Sequence, residues 1–254
     1  MKQDKRFNQY QLEEIRLGEE AGLDVSKYRD PEFDANQMRL IREGLEAGLD
    51  VSVYADTKFS RDQMSYILLG LQSGVNVSIY ADPKFTWQQM WEILYGLRNG
   101  VKIDQYADPK FSNDQMSMIV EGLIADVNVR IYADPKFTWE QMRIILDGLK
   151  EGRDASIYAN PKFGFEQMRE ILVGLRNGVD VSLYLDPKFS WREMHGIREA
   201  LELGIDVKDI AVIRSRGPAQ NIREDLNGGA HPSPLVNKDQ ADALENVIDK
   251  LGTD

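Results

Sequence analysis

The chain has 254 residues, 42% of them hydrophobic, with a formal net charge of -11. It lacks cysteine, which excludes a disulfide framework, a thiolate nucleophile and a cysteine metal site. The acid excess disfavours non-specific nucleic-acid binding, whose affinity comes largely from Lys and Arg neutralising phosphates, and suits docking on a basic partner. Met1–Arg6 is charged and leads into no apolar stretch, and no run approaches the roughly 18 apolar residues of a membrane span. The expectation is a soluble, cytoplasmic chain with no membrane attachment.

An internal period dominates everything after the first residues. Tyr28, Tyr54, Tyr80, Tyr106, Tyr132, Tyr158 and Tyr184 follow one another at 26-residue intervals. Phe7, Phe33, Phe59, Phe85, Phe111, Phe137, Phe163 and Phe189 keep the same interval. Eight units therefore run over residues 7–214 without insertion or deletion.

Each unit opens a helix. In Phe59-Ser60-Arg61-Asp62-Gln63-Met64, Ser60 is the N-cap and Gln63 reaches back to it, while Phe59 and Met64 staple the helix entry. The box recurs as Asp34 with Gln37, Thr86 with Gln89, Ser112 with Gln115, Thr138 with Gln141 and Ser190 with Glu193; Gly164 weakens it in the seventh unit. Met38, Ile41 and Leu45, and likewise Met90, Ile93 and Leu97, lie at i, i+3 and i+7 and form one apolar stripe. Gly48, Gly74, Gly100, Gly152, Gly178 and Gly204 stand where a helix of about 12 residues ends in a left-handed residue, and Asp126 replaces one of them.

A second set of glycines (Gly18, Gly44, Gly70, Gly96, Gly122, Gly148 and Gly174) lies inside the helices, each costing about 1 kcal/mol relative to Ala. Close approach of a neighbouring backbone or of a tyrosine ring is the simplest reason. After the helix, stretches such as Asp180-Val181-Ser182-Leu183-Tyr184 read as a short second helix or 3-10 turn capped by the Asp. Asp82-Pro83-Lys84-Phe85 then reads as an Asx turn. A rival assignment makes Val75, Val77 and Ile79 a strand and the chain a leucine-rich-repeat-like α/β solenoid. Polar Lys27 and Gln105 at the third strand position argue against it. The expected fold is all-α, a right-handed α-solenoid with one long helix and one short helix or 3-10 turn per unit.

Residues 215–236, rich in Gly, Pro, Asn and Ser, read as a linker. Over 237–254, Asn237 and Gln240 form another capping box, and Ala241, Leu244, Ile248 and Leu251 share one face of an expected capping helix.

The Tyr-Ala-Asp-Pro-Lys-Phe block with its following Gln-Met, as at Tyr80–Phe85 and Tyr132–Phe137, resembles tandem-repeat proteins of gut Gram-positive bacteria and their mobile elements. The likeness covers residues 7–214. It implies a genetic context and no particular activity; in that context a host defence factor is a plausible target.

Functional candidates come from positions that vary between units, because a repeat keeps its scaffold constant and varies its contacts. Trp87, Trp91 and Tyr95 fall at i, i+4 and i+8 of one helix. Tyr66 and Leu69 before them and Met118 after them add apolar surface, and Trp139, Phe165 and Trp191 occupy the helix-start position held by Trp87. Trp and Tyr are common anchors of protein interfaces, so these residues are the expected contacts with a protein partner, gripped by an adaptor or stoichiometric inhibitor.

Lys58, Lys84, Lys110, Lys136, Lys162 and Lys188 recur once per unit and form the candidate phosphate-contacting edge of a nucleic-acid reading. Glu13, Glu14, Glu19 and Glu20 give weaker support to the inverse, an acidic mimic of nucleic acid. Catalysis finds little: there are two histidines, His195 and His231, with no nucleophile–base pair, and His195 occupies a variable position expected to be exposed. Asp30, Asp56, Asp82, Asp108, Asp134 and Asp186 read as turn residues in preference to calcium ligands, since Asn160 takes one of their places. No enzyme, cofactor or metal is expected.

Overall fold

The computed structural model describes residues 7–204, so the expected linker (215–236), the expected capping helix (237–254) and the last ten residues of the repeat run lie outside the described residues. Described residues hold eight α-helices and no strand. The helices are α1 (Gln9–Glu20), α2 (Ala35–Glu46), α3 (Arg61–Gln72), α4 (Trp87–Arg98), α5 (Asn113–Ile124), α6 (Trp139–Lys150), α7 (Phe165–Asn177) and α8 (Trp191–Glu202). Where the α/β alternative needs strands, 3-10 turns form instead, as at Val51–Val53, Val77–Ile79 and Val181–Leu183.

The described residues divide into two compact units, one reaching to Val129 and including Ala133–Pro135, the other taking Arg130–Tyr132 and the residues from Lys136 onward. In the first, α1 to α5 pack consecutively; in the second, α6 packs on α7 and α7 on α8. Each core is the expected stripe: Met64, Ile67, Met90, Ile93, Met142 and Ile145 are wholly buried.

Helix starts follow the capping logic. Ser60 Oγ accepts from the Gln63 N–H at 3.2 Å, and Gln63 Oε1 accepts from the Ser60 N–H at 2.7 Å. At Gly164 only the return half survives, with Gln167 Oε1 accepting from the Gly164 N–H at 2.6 Å. The same glutamine has a further role that the capping box conceals. Gln63 Nε2 donates to Pro83 O at 3.1 Å and to Phe85 O at 2.5 Å, both in the next repeat. Gln11, Gln89 and Gln141 make the equivalent pair of bonds. One buried amide thus satisfies its own helix start and ties it to the turn that begins its neighbour, leaving no polar atom of the side chain stranded.

The interior glycines are explained by the tyrosines. Tyr28, Tyr54, Tyr80, Tyr158 and Tyr184 are fully buried. Each hydroxyl donates to the carbonyl fourteen residues earlier: Tyr54 Oη to Leu40 O at 2.9 Å, Tyr80 Oη to Tyr66 O at 3.1 Å. A Cβ on Gly70 would lie 1.9 Å from Tyr80 Oη, and one on Gly44 would lie 2.2 Å from Tyr54 Oη. The ring occupies the space a side chain would fill.

The fourth repeat breaks this pattern. Elsewhere an Asp or Asn caps the 3-10 turn, as when Asn76 Oδ1 accepts from the Ser78 N–H at 3.2 Å. Lys102 holds that position here and has no acceptor to offer. No 3-10 turn forms over 101–106, Ile103 is buried, and Tyr106 stays half-buried outside the slot its counterparts fill.

Candidate functional site

Position in the repeat decides which aromatic side chains reach the surface. Trp87, Trp91 and Tyr95 lie one turn apart on α4, on the flank away from the Met90, Ile93 and Leu94 stripe. They keep 39%, 39% and 45% of their surface exposed. From α3, Tyr66 closes over them: its ring stacks on Trp87 with centroids 5.7 Å apart and planes 7° from parallel, and meets Trp91 at 5.8 Å. Trp91 and Tyr95 follow at 6.2 Å. These separations lie in the range where aromatic pairs attract, so four rings form one continuous plate in the first unit. The Tyr66 backbone is held from beneath, because its carbonyl is the acceptor for Tyr80 Oη.

The remaining sequence candidates separate. Leu69 is half-buried beside the plate on α3. Met118 is only 8% exposed, which removes it from the surface set: the helix flank it occupies turns inward, and it belongs with the core. In the second unit, Trp139, Phe165 and Trp191 begin α6, α7 and α8 and are each exposed, and the Arg192 guanidinium lies 5.2 Å from the Trp191 ring centroid. No ring pair links these three as it links the four rings on α3 and α4.

All six lysines of the repeated turn are exposed. The turn gives them acidic company. Lys58 and Lys110 each donate their backbone N–H to the carboxylate two residues earlier, at 2.9 and 3.0 Å, with the ammonium 3.6 and 3.9 Å from the same group. Lys162 donates likewise to Asn160 Oδ1 at 3.1 Å, so the repeated Asp works as a turn acceptor that Asn can replace.

His195 is not the exposed residue the sequence suggests. It is half-buried between α7 and α8, with Nδ1 3.1 Å from Glu170 Oε2 and Nε2 3.0 Å from Glu199 Oε1. Arg198 joins the network through Glu170 at 2.9 Å, so the imidazole belongs to an ion-pair cluster that fastens the last two helices. Among the described residues no three His, Asp or Glu side chains gather in a form able to hold a metal ion. None of the described helices is long and apolar enough to cross a membrane.

Comparison with protein-family models, with curated proteins and with solved structures gives no match to this chain.

Proposed function

We propose that the chain is a non-enzymatic repeat scaffold, a right-handed α-solenoid of 26-residue units, that binds a protein partner as an adaptor or stoichiometric inhibitor. The supporting observation is the plate formed by Tyr66, Trp87, Trp91 and Tyr95. These four side chains occupy positions that differ from repeat to repeat, lie in contact with one another, and keep a large aromatic area in water while the scaffold beneath is fully packed. Exposed aromatic area in one contiguous patch is characteristic of interaction sites, and Trp and Tyr dominate the binding energy of interfaces.

The lysine edge supports nucleic-acid binding less well, because Lys58 and Lys110 already lie beside a carboxylate and the chain carries a net charge of -11. The test is affinity capture from native extract with the wild-type chain and with Trp91→Ala/Tyr95→Ala. The double variant is expected to lose the captured partner while its far-ultraviolet circular dichroism stays the same. Equal recovery of the same partner by both proteins would remove the plate from consideration.

A further inference from the structure

With one exception, the residue four positions before an interior glycine obeys a pairing rule with the residue 28 positions later. Glu14 pairs with Arg42 at 2.8 Å in the first unit, and Glu170 pairs with Arg198 at 2.9 Å in the second. Each arginine is held from its other side as well, by Glu46 and Glu202 respectively. Where the earlier residue is apolar or aromatic, the later one is apolar too: Leu40 precedes Leu68, and Tyr66 precedes Leu94.

Glu92 breaks the rule. Its 28-residue counterpart is Val120, which is buried and uncharged. The groups acting on the Glu92 carboxyl are Ser117, which donates a hydrogen bond, and Asp114, which repels it. No Lys or Arg lies within ion-pair distance of it among the described residues. Burial pushes this carboxyl above its ordinary range, Ser117 offsets part of that effect, and Asp114 adds to it. The neighbouring α5 contains Asp114 and Glu121 and neither Lys nor Arg.

Glu92 also borders the aromatic plate. It follows Trp91 in the chain and lies three residues before Tyr95, within side-chain reach on a helix surface. Tyr95, at the end of the plate, thus lies one turn from a carboxylate that lacks the arginine its equivalents possess and whose acting neighbours, Ser117 and Asp114, are on α5. A guanidinium suits both parts: its plane stacks on aromatic rings and its fork of N–H donors meets a carboxylate.

Resting on the protein-docking reading of the plate, we infer that its partner is a polypeptide segment that inserts an arginine over Trp91 and Tyr95 and pairs it with Glu92. The missing arginine of the fourth repeat is supplied from outside.

The experiment titrates the full chain with short peptides alternating Leu with Arg, with Lys or with Glu, followed by tryptophan emission. The arginine peptide is expected to bind at least about tenfold more tightly than the glutamate peptide, the size of a single charge-assisted contact, with the lysine peptide between them. Glu92→Gln should weaken the arginine peptide about tenfold. Glu32→Gln, which removes an equal charge from an exposed turn, should change it less than about twofold. Val120→Arg, which restores the internal pair, should also suppress binding while the chain stays helical.

No binding of the arginine peptide at millimolar concentration overturns the inference, as does equal loss in Glu92→Gln and Glu32→Gln. So does binding of a single-stranded oligonucleotide or self-association of the chain that Trp91→Ala/Tyr95→Ala abolishes while Glu92→Gln leaves it unchanged. If the double variant loses its captured partner while Glu92→Gln keeps both that partner and the peptide, the plate remains a docking face and only the arginine is refuted.

Discussion

The same substitution, glycine to alanine at the same place in two adjacent repeats, should cost stability in one repeat and little or none in the other. Alanine in an open helical position gains about 1 kcal/mol over glycine. At Gly70 the new Cβ would meet Tyr80 Oη at 1.9 Å and Val77 Cγ1 at 2.7 Å, both on stiff side chains in a filled core. Such overpacking costs about 1–3 kcal/mol. Displacing the ring also loses the hydroxyl bond to the Tyr66 carbonyl, a further ~1 kcal/mol. Gly70→Ala should therefore destabilise the chain by about 1–3 kcal/mol after its propensity gain is counted. At Gly96 the nearest atoms to a new Cβ are Val101 Cγ2 at 3.3 Å and Val120 Cγ2 at 3.4 Å, because the Tyr106 ring does not enter the slot. Gly96→Ala should be neutral or stabilising by up to about 1 kcal/mol. Urea unfolding followed by circular dichroism measures both, and the combination Gly70→Ala/Tyr80→Phe, which deletes the 1.9 Å contact, should recover part of the loss. Midpoints that shift in the same direction and by similar amounts would refute the account of why the glycines are there.

Replacing Gln63 by Glu should cost about 2–4 kcal/mol at neutral pH, since a carboxylate has no N–H for the Pro83 and Phe85 carbonyls and is forced against them. The deficit should shrink as the pH falls and the carboxyl regains a proton to donate; an unfolding midpoint for this variant that stays independent of pH would contradict the clamp. At the other end of the scale, burial pushes the phenols of Tyr54, Tyr80, Tyr158 and Tyr184 well above their ordinary 10.0. An acid whose folded pKa is raised contributes stability that is complete below its unfolded value and is lost as the pH climbs past 10.0. The share of tyrosinate absorbance that these buried phenols contribute should therefore appear only together with loss of helicity. Ionisation of all ten tyrosines with the helices intact would count against the buried-ring description.

Much of this architecture can be read from the residues because each repeat states its local instructions again. The caps at Asp34, Ser60, Thr86 and Ser190 and the left-handed residues at Gly74 and Asp126 follow from side-chain chemistry within a few residues. The fate of Tyr106 was also within reach, since Lys102 is visibly no cap, but a strict count of tyrosines hides it. The second role of Gln63 was not, because the capping box already accounts for a glutamine there and the acceptors lie 20 and 22 residues away. Trp87, Trp91 and Tyr95 stand out in the sequence as variable aromatic residues on one helix, whereas the stacking of Tyr66 on them crosses to a different helix and has no local signal. Which side chains face water depends on the helix flank, which the spacing of single residues does not reveal: Met118 turns inward, and His195 sits within its ion-pair cluster.

The glutamine clamp carries an instruction about length. A helix bearing Gln at its third position can hold a following Phe-ended turn, whereas Glu193 in α8 offers no N–H for that purpose and residue 215, where the next Phe would stand, is Ser. One amide nitrogen exchanged for an oxygen thus falls in the last unit of the 26-residue sequence pattern. Lengthening the protein by grafting further 26-residue modules after α8 would require changing that single letter back to Gln before anything else.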